Sequence, residues 1–190
     1  MRIIAGTRKG LQLAALGKGD PAAHLRPTPD RVRESLFSAL ASRPDDPVTG
    51  AHVLDLFAGT GALGLEALSR GAAHATFVEN GRAALRLLTD NIARADATAA
   101  ARIVTRDAAR LPPCGGPPAS LVFLDPPYGK NLGARALAAA RAGGWIAPGA
   151  LVVWEEASPQ DAPAGFAPDS LRRYGTTHVT LLTAAADPEL

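Results

Sequence analysis

The feature that most restricts this chain is an alternation that begins at His52, in which short apolar runs, turns and helix-periodic stretches follow one another. Val53-Leu54-Asp55-Leu56-Phe57 reads as a first strand, and Gly61 to Arg70 as a helix. Ala75 to Glu79 is a second strand, followed by a helix over Arg82 to Ala95 with Leu85, Leu88 and Ile92 at helical spacing. Arg102 to Thr105 is a third strand ending near Asp107, and the Pro/Gly-rich stretch Leu111 to Ala119 is loop. Leu121 to Asp125 is a fourth strand, Leu132 to Ala142 a helix, Ala150 to Glu155 a fifth strand, and Tyr174 to Thr183 a final hairpin arm or strand pair. Strands with so little polar alternation must be covered on both faces, and strand–helix alternation supplies that cover. The expected fold is therefore α/β: a Rossmann-like, mostly parallel sheet with helices on both faces and an antiparallel strand near the C-terminus.

Ahead of this core lies a different segment. Arg2 to Ala5 and Leu11 to Leu13 flank Gly6-Thr7-Arg8-Lys9-Gly10, which reads as a short hairpin with a basic turn. Further on, Thr28 is a plausible helix N-cap with Pro29 at the first helical position. Val32, Leu36 and Leu40, with Phe37 beside Leu36, make one apolar helix face, so Arg31 and Arg33 point elsewhere, where a ligand can reach them. The expected division is an N-terminal extension over residues 1–45 and a catalytic domain over residues 46–190.

The turn after the first strand, Asp55-Leu56-Phe57-Ala58-Gly59-Thr60-Gly61-Ala62-Leu63-Gly64, fits G-x-G-x-x-G, and Glu79 closes the second strand twenty residues past Gly59. That spacing suits a dinucleotide, and it suits any adenosine-bearing cofactor, since an acid there can bind ribose hydroxyls. Asp55 separates the two. A carboxylate inside the turn repels a pyrophosphate, whereas it suits a ligand carrying an ammonium, such as S-adenosylmethionine. Asp107 could then accept from the adenine amino group.

Asp125-Pro126-Pro127-Tyr128 leaves the fourth strand. An Asp oxygen and the Pro126 carbonyl can each accept one N–H of an amino group on a flat ring. The prolines lack a backbone N–H and fix φ, which makes the turn rigid. Tyr128 offers a stacking face. Taken alone, the same four residues could be an ordinary strand-to-loop turn.

Charge is unevenly placed. The net charge is only +2, yet residues 1–40 hold seven Lys/Arg against three acids. A basic end on an acidic remainder suits a polyanion, as does the excess of arginine. One cysteine excludes an internal disulfide framework. With no long apolar run and no signal-peptide pattern, the expected setting is cytoplasmic, without a membrane. His24, His52, His74 and His178 have no metal-ligand spacing with Cys114, so no metal site is expected, and Pro113-Cys114 sits too early to be the nucleophile of a cytosine-type methyltransferase.

These segments resemble the class I S-adenosylmethionine-dependent methyltransferases. Within them the chain closely resembles the bacterial RsmD-type enzymes, which methylate a guanine N2 of 16S ribosomal RNA. The resemblance runs through Met1-Arg2-Ile3-Ile4-Ala5-Gly6, Arg26-Pro27-Thr28-Pro29-Asp30-Arg31-Val32-Arg33-Glu34-Ser35-Leu36-Phe37, Val53 to Gly71, Phe77-Val78-Glu79, Leu121 to Tyr128 and Gly149 to Glu155. Thr7 and Leu11 depart from it, standing where an acidic and a basic residue are common, and the tail after Thr183 matches nothing in it. The resemblance implies a catalytic set of Asp125, Pro126, Pro127 and Tyr128. The implied cofactor set is Asp55, Phe57, Ala58, Gly59, Gly61, Glu79, Asn80, Asp107, Ala108 and Thr28, and the RNA-binding set is Arg8, Lys9, Arg26, Arg31 and Arg33. Thr28 and Arg33 are alternatively placed to close over the cofactor. The implied partner is 16S ribosomal RNA or the assembling small subunit, with a monomer as the default state. The rivals are a DNA adenine-N6 methyltransferase, which usually carries a recognition domain this chain has no room for, a protein glutamine-N5 methyltransferase, which usually has Asn in place of Asp125, and a non-catalytic RNA-binding relic.

Overall fold

The computed structural model describes residues 1–15, 29–128 and 131–186. Among them are α1 (Asp30–Ala41), β1 (His52–Leu56), α2 (Ala62–Ser69), β2 (His74–Glu79), α3 (Arg82–Arg94), β3 (Ala101–Thr105), β4 (Ala119–Leu124), α4 (Leu132–Ala142), β5 (Ile146–Glu156), β6 (Phe166–Tyr174) and β7 (Thr177–Ala184). The described strands form one seven-stranded sheet in the order β3-β2-β1-β4-β5-β7-β6. β1 to β5 are parallel to one another, and β7 runs antiparallel between β5 and β6. The sheet is thus the mostly parallel one expected, and the strand order reverses between β1 and β4.

Alternate residues of each strand feed two cores. Val53, Phe77, Leu121, Phe123, Val153 and Leu181 pack with α1, α2 and α3. Leu54, Leu56, Val122, Leu124, Val152 and Trp154 face the opposite side, where α4 contributes Ala136, Leu137 and Ala140. Fully burying each large apolar side chain is worth about 1.5–3 kcal/mol, which is why the central strands carry almost no polar residues. Among the described residues no helix is long and apolar enough to cross a membrane.

Four expectations need correction. The first helix begins at Asp30 with Pro29 as its N-cap, at φ −55° and ψ 145°, and no side chain caps it; Thr28 lies outside the described residues. The buried face of α1 is Arg33, Leu36, Phe37 and Leu40, spaced as successive helical turns, so Arg33 and not Val32 completes the stripe. Finally, the C-terminal arm is longer than Tyr174 to Thr183. β6 starts at Phe166 despite Pro168, because it is an edge strand and the register shifts between Pro168 and Ser170. β5 likewise begins at Ile146, not Ala150: the strand carries Pro148 and Gly149 through an irregularity in register between Ala119 and Leu121 of β4.

The N-terminal hairpin is present in outline. Arg2 bridges Gln12 in antiparallel fashion, and the Ile3 N–H donates to the Leu11 carbonyl at 3.0 Å. Its free edge is satisfied by α2. Glu66, wholly buried, accepts the N–H groups of Ile4 (2.7 Å) and Ala5 (3.1 Å) and also pairs with Arg70 at 2.7 Å. Gly6, at φ +82°, lies so close to α2 that a Cβ would sit 1.7 Å from the Ser69 carbonyl oxygen. Ile3, Leu13, Leu36 and Phe37 join the same core cluster as the sheet, and the Phe37 and Phe123 rings meet at 5.5 Å.

Candidate active site

The registers of β1, β2, β4 and β5 place Val78, Leu56, Leu124 and Trp154 side by side. The next residue of each strand is Glu79, Phe57, Asp125 and Glu155 in turn. Strands lie about 4.8 Å apart, so three carboxylates and one aromatic form a row across the C-terminal edge of the sheet, at the point where strand order reverses.

The glycine turn is built by unusual backbone. Phe57, Gly59 and Gly61 have φ of +61°, +56° and +80°. For a bulky residue such as Phe57 that is a strained conformation, of a kind that gathers at functional sites. The Ala58 N–H anchors to the Val78 carbonyl at 3.0 Å, and the Gly61 N–H closes on the Ala58 carbonyl at 2.7 Å. At Gly61 a Cβ would meet Leu88 Cδ1 at 2.5 Å, so the turn is pressed onto α3.

Glu79 organises this turn from β2. Its Oε2 accepts the Gly59 N–H at 2.9 Å, and its Oε1 accepts the N–H groups of Asn80 (2.8 Å) and Gly81 (2.7 Å). In a turn that cradles a pyrophosphate, such an amide faces the phosphate. Here a carboxylate occupies it, which fits a cofactor with ribose hydroxyls and no phosphate. Asp107 caps the short 3-10 turn Ala108–Arg110, accepting the Ala109 N–H at 2.9 Å, and Ala108 behind it is buried.

Asp55, the acid expected at the cofactor's ammonium, lies deep in the turn. It is 2% exposed, and its Oδ2 accepts the Gly64 N–H at 3.0 Å. Burial pushes its carboxyl up to about 8, against the pull of the Gly64 hydrogen bond and with help from the charge on Glu79. It stands one residue inside the strand end, and its described hydrogen bond goes to α2, whose first turn it holds against β1.

Asp125 leaves β4 half-buried, Pro126 is buried, and Pro127 and Tyr128 are exposed. The Tyr128 hydroxyl donates to Glu155 Oε1 at 3.2 Å, with Thr177 beside it, and burial together with Glu155 and Asp125 holds it well above the ordinary tyrosine range. Tyr128 is therefore neutral, with one ring edge tied down. The concave space lined by His52, His74, Arg102 and Trp145 is remote from this row, because those strand residues stand at the opposite edge of the sheet.

A family model described as Conserved hypothetical protein 95 matches residues 1–183. The chain is 40% identical over 173 residues to Ribosomal RNA small subunit methyltransferase D of Escherichia coli, covering 91% of this chain and 83% of that one. It is 35% identical over 158 residues to the protein of the same name from Haemophilus influenzae, covering 82% and 78%. Among solved structures, the yhhF protein of Escherichia coli superposes with a TM-score of 0.79 at 36% identity, over 98% of this chain and 99% of that one. The chain belongs to the RsmD family of methyltransferases.

Within this RsmD-family chain, two of the residues expected to bind RNA, Arg8 and Arg33, are engaged by the fold itself. Arg8 caps α3: its Nε donates to the Ala95 carbonyl and its terminal nitrogen to the Asp96 carbonyl at 2.8 Å. A cation on the carbonyls of a helix C-terminus is a stabilising arrangement in its own right. Arg33 is wholly buried, donating to the Arg2 carbonyl and to Asp30 Oδ1 at 3.1 Å, which corrects the expectation that a ligand can reach it. Lys9 and Arg31 are exposed; Arg26 lies outside the described residues.

Two residues that sequence reasoning passed over touch the candidate site. Glu155 ends the apolar run of β5 just as Glu79 ends that of β2, and that parallel was the available signal. Asn91, wholly buried on α3, clasps Ala14 through both its N–H and its carbonyl, at 2.7 and 3.0 Å, and donates to the Thr60 carbonyl of the glycine turn at 2.9 Å. No sequence periodicity distinguishes that asparagine from a surface residue.

Proposed function

We propose that the chain transfers a methyl group from S-adenosylmethionine to the exocyclic N2 of a guanine in 16S ribosomal RNA of the small ribosomal subunit. The observation that carries this reading is the carboxylate row: Glu79 holds the Gly59 amide of the turn at 2.9 Å while Asp125 leaves the neighbouring strand on the other side of Phe57. A phosphate-free nucleoside cofactor and an amino-bearing base each find their acceptors there. Relatives named as small-subunit ribosomal RNA methyltransferases support the choice of nucleic acid.

When bound, S-adenosylmethionine supplies an electrophilic methyl group on its sulfonium. The turn Phe57-Ala58-Gly59, Gly61, Glu79, Asn80, Asp107 and Ala108 would hold it. Glu79 has lone pairs left for ribose hydroxyls, since each carboxylate oxygen accepts more than one bond. Asp55 contributes by fixing α2 to β1.

The guanine amine is a poor nucleophile because its lone pair is delocalised into the ring. Asp125 and the Pro126 carbonyl each accept one of its N–H bonds, which favours the pyramidal nitrogen and aims its lone pair. The gain is in position and electrostatics, not in a covalent intermediate. The departing proton passes to Asp125 or to water. Tyr128, neutral and tethered to Glu155, offers its ring to a base drawn out of the RNA stack.

The test is a tritiated-methyl assay on small ribosomal subunits from a strain lacking this modification. Asp125→Ala is expected to lower transfer by about 100-fold or more, the scale of losing a preorganised polar contact, while calorimetry still detects S-adenosylmethionine binding. Asp125→Asn keeps an acceptor oxygen and should retain substantial activity. Full activity of Asp125→Ala would remove Asp125 from the reaction.

A further inference from the structure

β6 runs antiparallel to β7, and β7 antiparallel to β5, so β6 runs in the same direction as β4 and β5. Its C-terminal end therefore emerges at the same sheet edge as Asp125. Register carries the row outward: Glu155 pairs with Val179, and Val179 with Arg172; Glu156 pairs with His178, and His178 with Arg173. The turn between β6 and β7, Gly175-Thr176, rises just past Tyr128, whose hydroxyl has Glu155 on one side and Thr177 on the other.

Arg172 and Arg173 are both exposed, and being consecutive in a strand they project from opposite faces of the ribbon. Neither belongs to an ion pair among the described residues. Arg173 Nε donates to the Gly175 carbonyl at 3.0 Å, which steadies the guanidinium and leaves its terminal N–H groups outward. The neighbouring acid, Asp169, is already gripped by both terminal nitrogens of Arg43 at 3.0 and 3.1 Å. Glu155 and Glu156 are buried. Arg172 and Arg173 thus place two exposed positive charges beside the catalytic edge at this end of the sheet, on a main-chain ladder, with Asp169 near Arg172 and exposed Asp161 in the loop after β5 as the acids around them.

We propose that the tip of the β6–β7 ribbon is an RNA-contact surface, with Arg172 and Arg173 taking backbone phosphates of the strand that carries the target nucleotide. It rests on the function proposed above and adds to it a place for the RNA that the basic N-terminal turn does not supply. Arg8 stands at the C-terminal ends of α2 and α3, where the chain turns back into the starts of β2 and β3, at the opposite edge of the sheet from Asp125. A phosphate bound there is on the wrong side for a nucleotide at Tyr128, whereas Thr177 of the ribbon stands beside the Tyr128 hydroxyl and the two arginines follow on the next strand. Two arginines projecting from opposite faces can straddle a single strand and contact successive phosphates, each as a planar fork.

The experiment measures methylation kinetics and filter binding of the Arg172→Ala/Arg173→Ala variant, with Arg94→Ala at the far end of α3 as control. The substrate is small ribosomal subunits from the modification-lacking strain. The expected result is a KM for subunits raised about tenfold or more, with kcat and S-adenosylmethionine affinity unchanged. The slope of log affinity against log salt should fall by roughly 0.7–0.9 for each phosphate the variant no longer neutralises. The Arg172→Lys/Arg173→Lys variant should recover part of the affinity, and Arg94→Ala should behave as wild type. A double-Ala variant with wild-type KM and salt slope overturns the ribbon's role. Failure of the wild-type protein to methylate the subunits would instead overturn the proposed function. If the double-Ala variant loses thermal stability, Gln at both positions supplies the same comparison.

Discussion

The N-terminal hairpin and the C-terminal ribbon are both short antiparallel pairs bearing arginines, yet they attach to the domain by opposite means. The hairpin has little ladder of its own and is held by side chains of the helices: Glu66 takes two of its amides, Ser69 Oγ accepts the Arg8 N–H at 2.9 Å and donates to the Ala5 carbonyl at 2.6 Å, and Asn91 clasps Ala14. The ribbon is continuous with the sheet, paired from Phe166 to Tyr174 and from Leu151 to Glu156 on either side of β7. Where attachment consumes side chains, the arginines are drawn into it. Where the main chain does the attaching, they are left outside. Arg8 of the hairpin is thus spent on the fold, whereas Arg172 and Arg173 of the ribbon stay exposed.

Glu66→Ala tests this contrast most severely. It strands two hairpin amides and Arg70 around a buried void and should lower unfolding free energy by about 3–5 kcal/mol, measured by urea denaturation. A loss below 1 kcal/mol would mean that α2 does not hold the hairpin by this carboxylate.

Asp55, between the two regions, provides the next effect. Its folded carboxyl titrates at about 8 and the ordinary one near 3.8, so the native state holds the proton more tightly. Stability from this group is greatest at low pH and declines as pH rises toward 8, then levels off. The melting temperature should fall between pH 5 and pH 8 more steeply in the wild type than in Asp55→Asn, whose amide oxygen still accepts the Gly64 N–H. Parallel curves would show that Asp55 is ionised when folded.

Arg8 gives a smaller effect and the most direct separation of the two roles. Arg8→Ala should cost about 1–2 kcal/mol by uncapping the carbonyls at the end of α3, while the KM for small subunits stays near wild type. The ribbon variant should show the reverse: stable protein, weakened RNA engagement. An Arg8→Ala protein of normal stability and impaired RNA binding would exchange the two roles.

Much of this was legible in the chain. The strand–turn–helix alternation announces the parallel sheet, because strands buried on both faces tolerate few polar residues and the helices that cover them carry a period near 3.6. Glu79, Asp107 and Asp125 stand out for the same reason: each is an acid at or just past the end of an apolar run. β6 was not legible, since an edge strand has one ladder partner and tolerates proline, charge and a register shift. Nor was the fate of Arg33, whose place on the buried stripe of α1 depends on the Arg2 carbonyl lying opposite.

Linear order dictates which residues are apolar, at what period, and where the turns and acids fall between them. From these follow the sheet, the row of acids at its C-terminal edge and the family. Packing then selects which of the polar residues are spent on holding the fold. Arg8, Arg33, Asp55 and Glu66 look like surface or ligand-binding groups in a linear reading, yet each satisfies main-chain groups brought to it from 9 to 88 residues away. A buried amide or carbonyl must find a partner, and only the folded chain determines which side chain is near enough to serve.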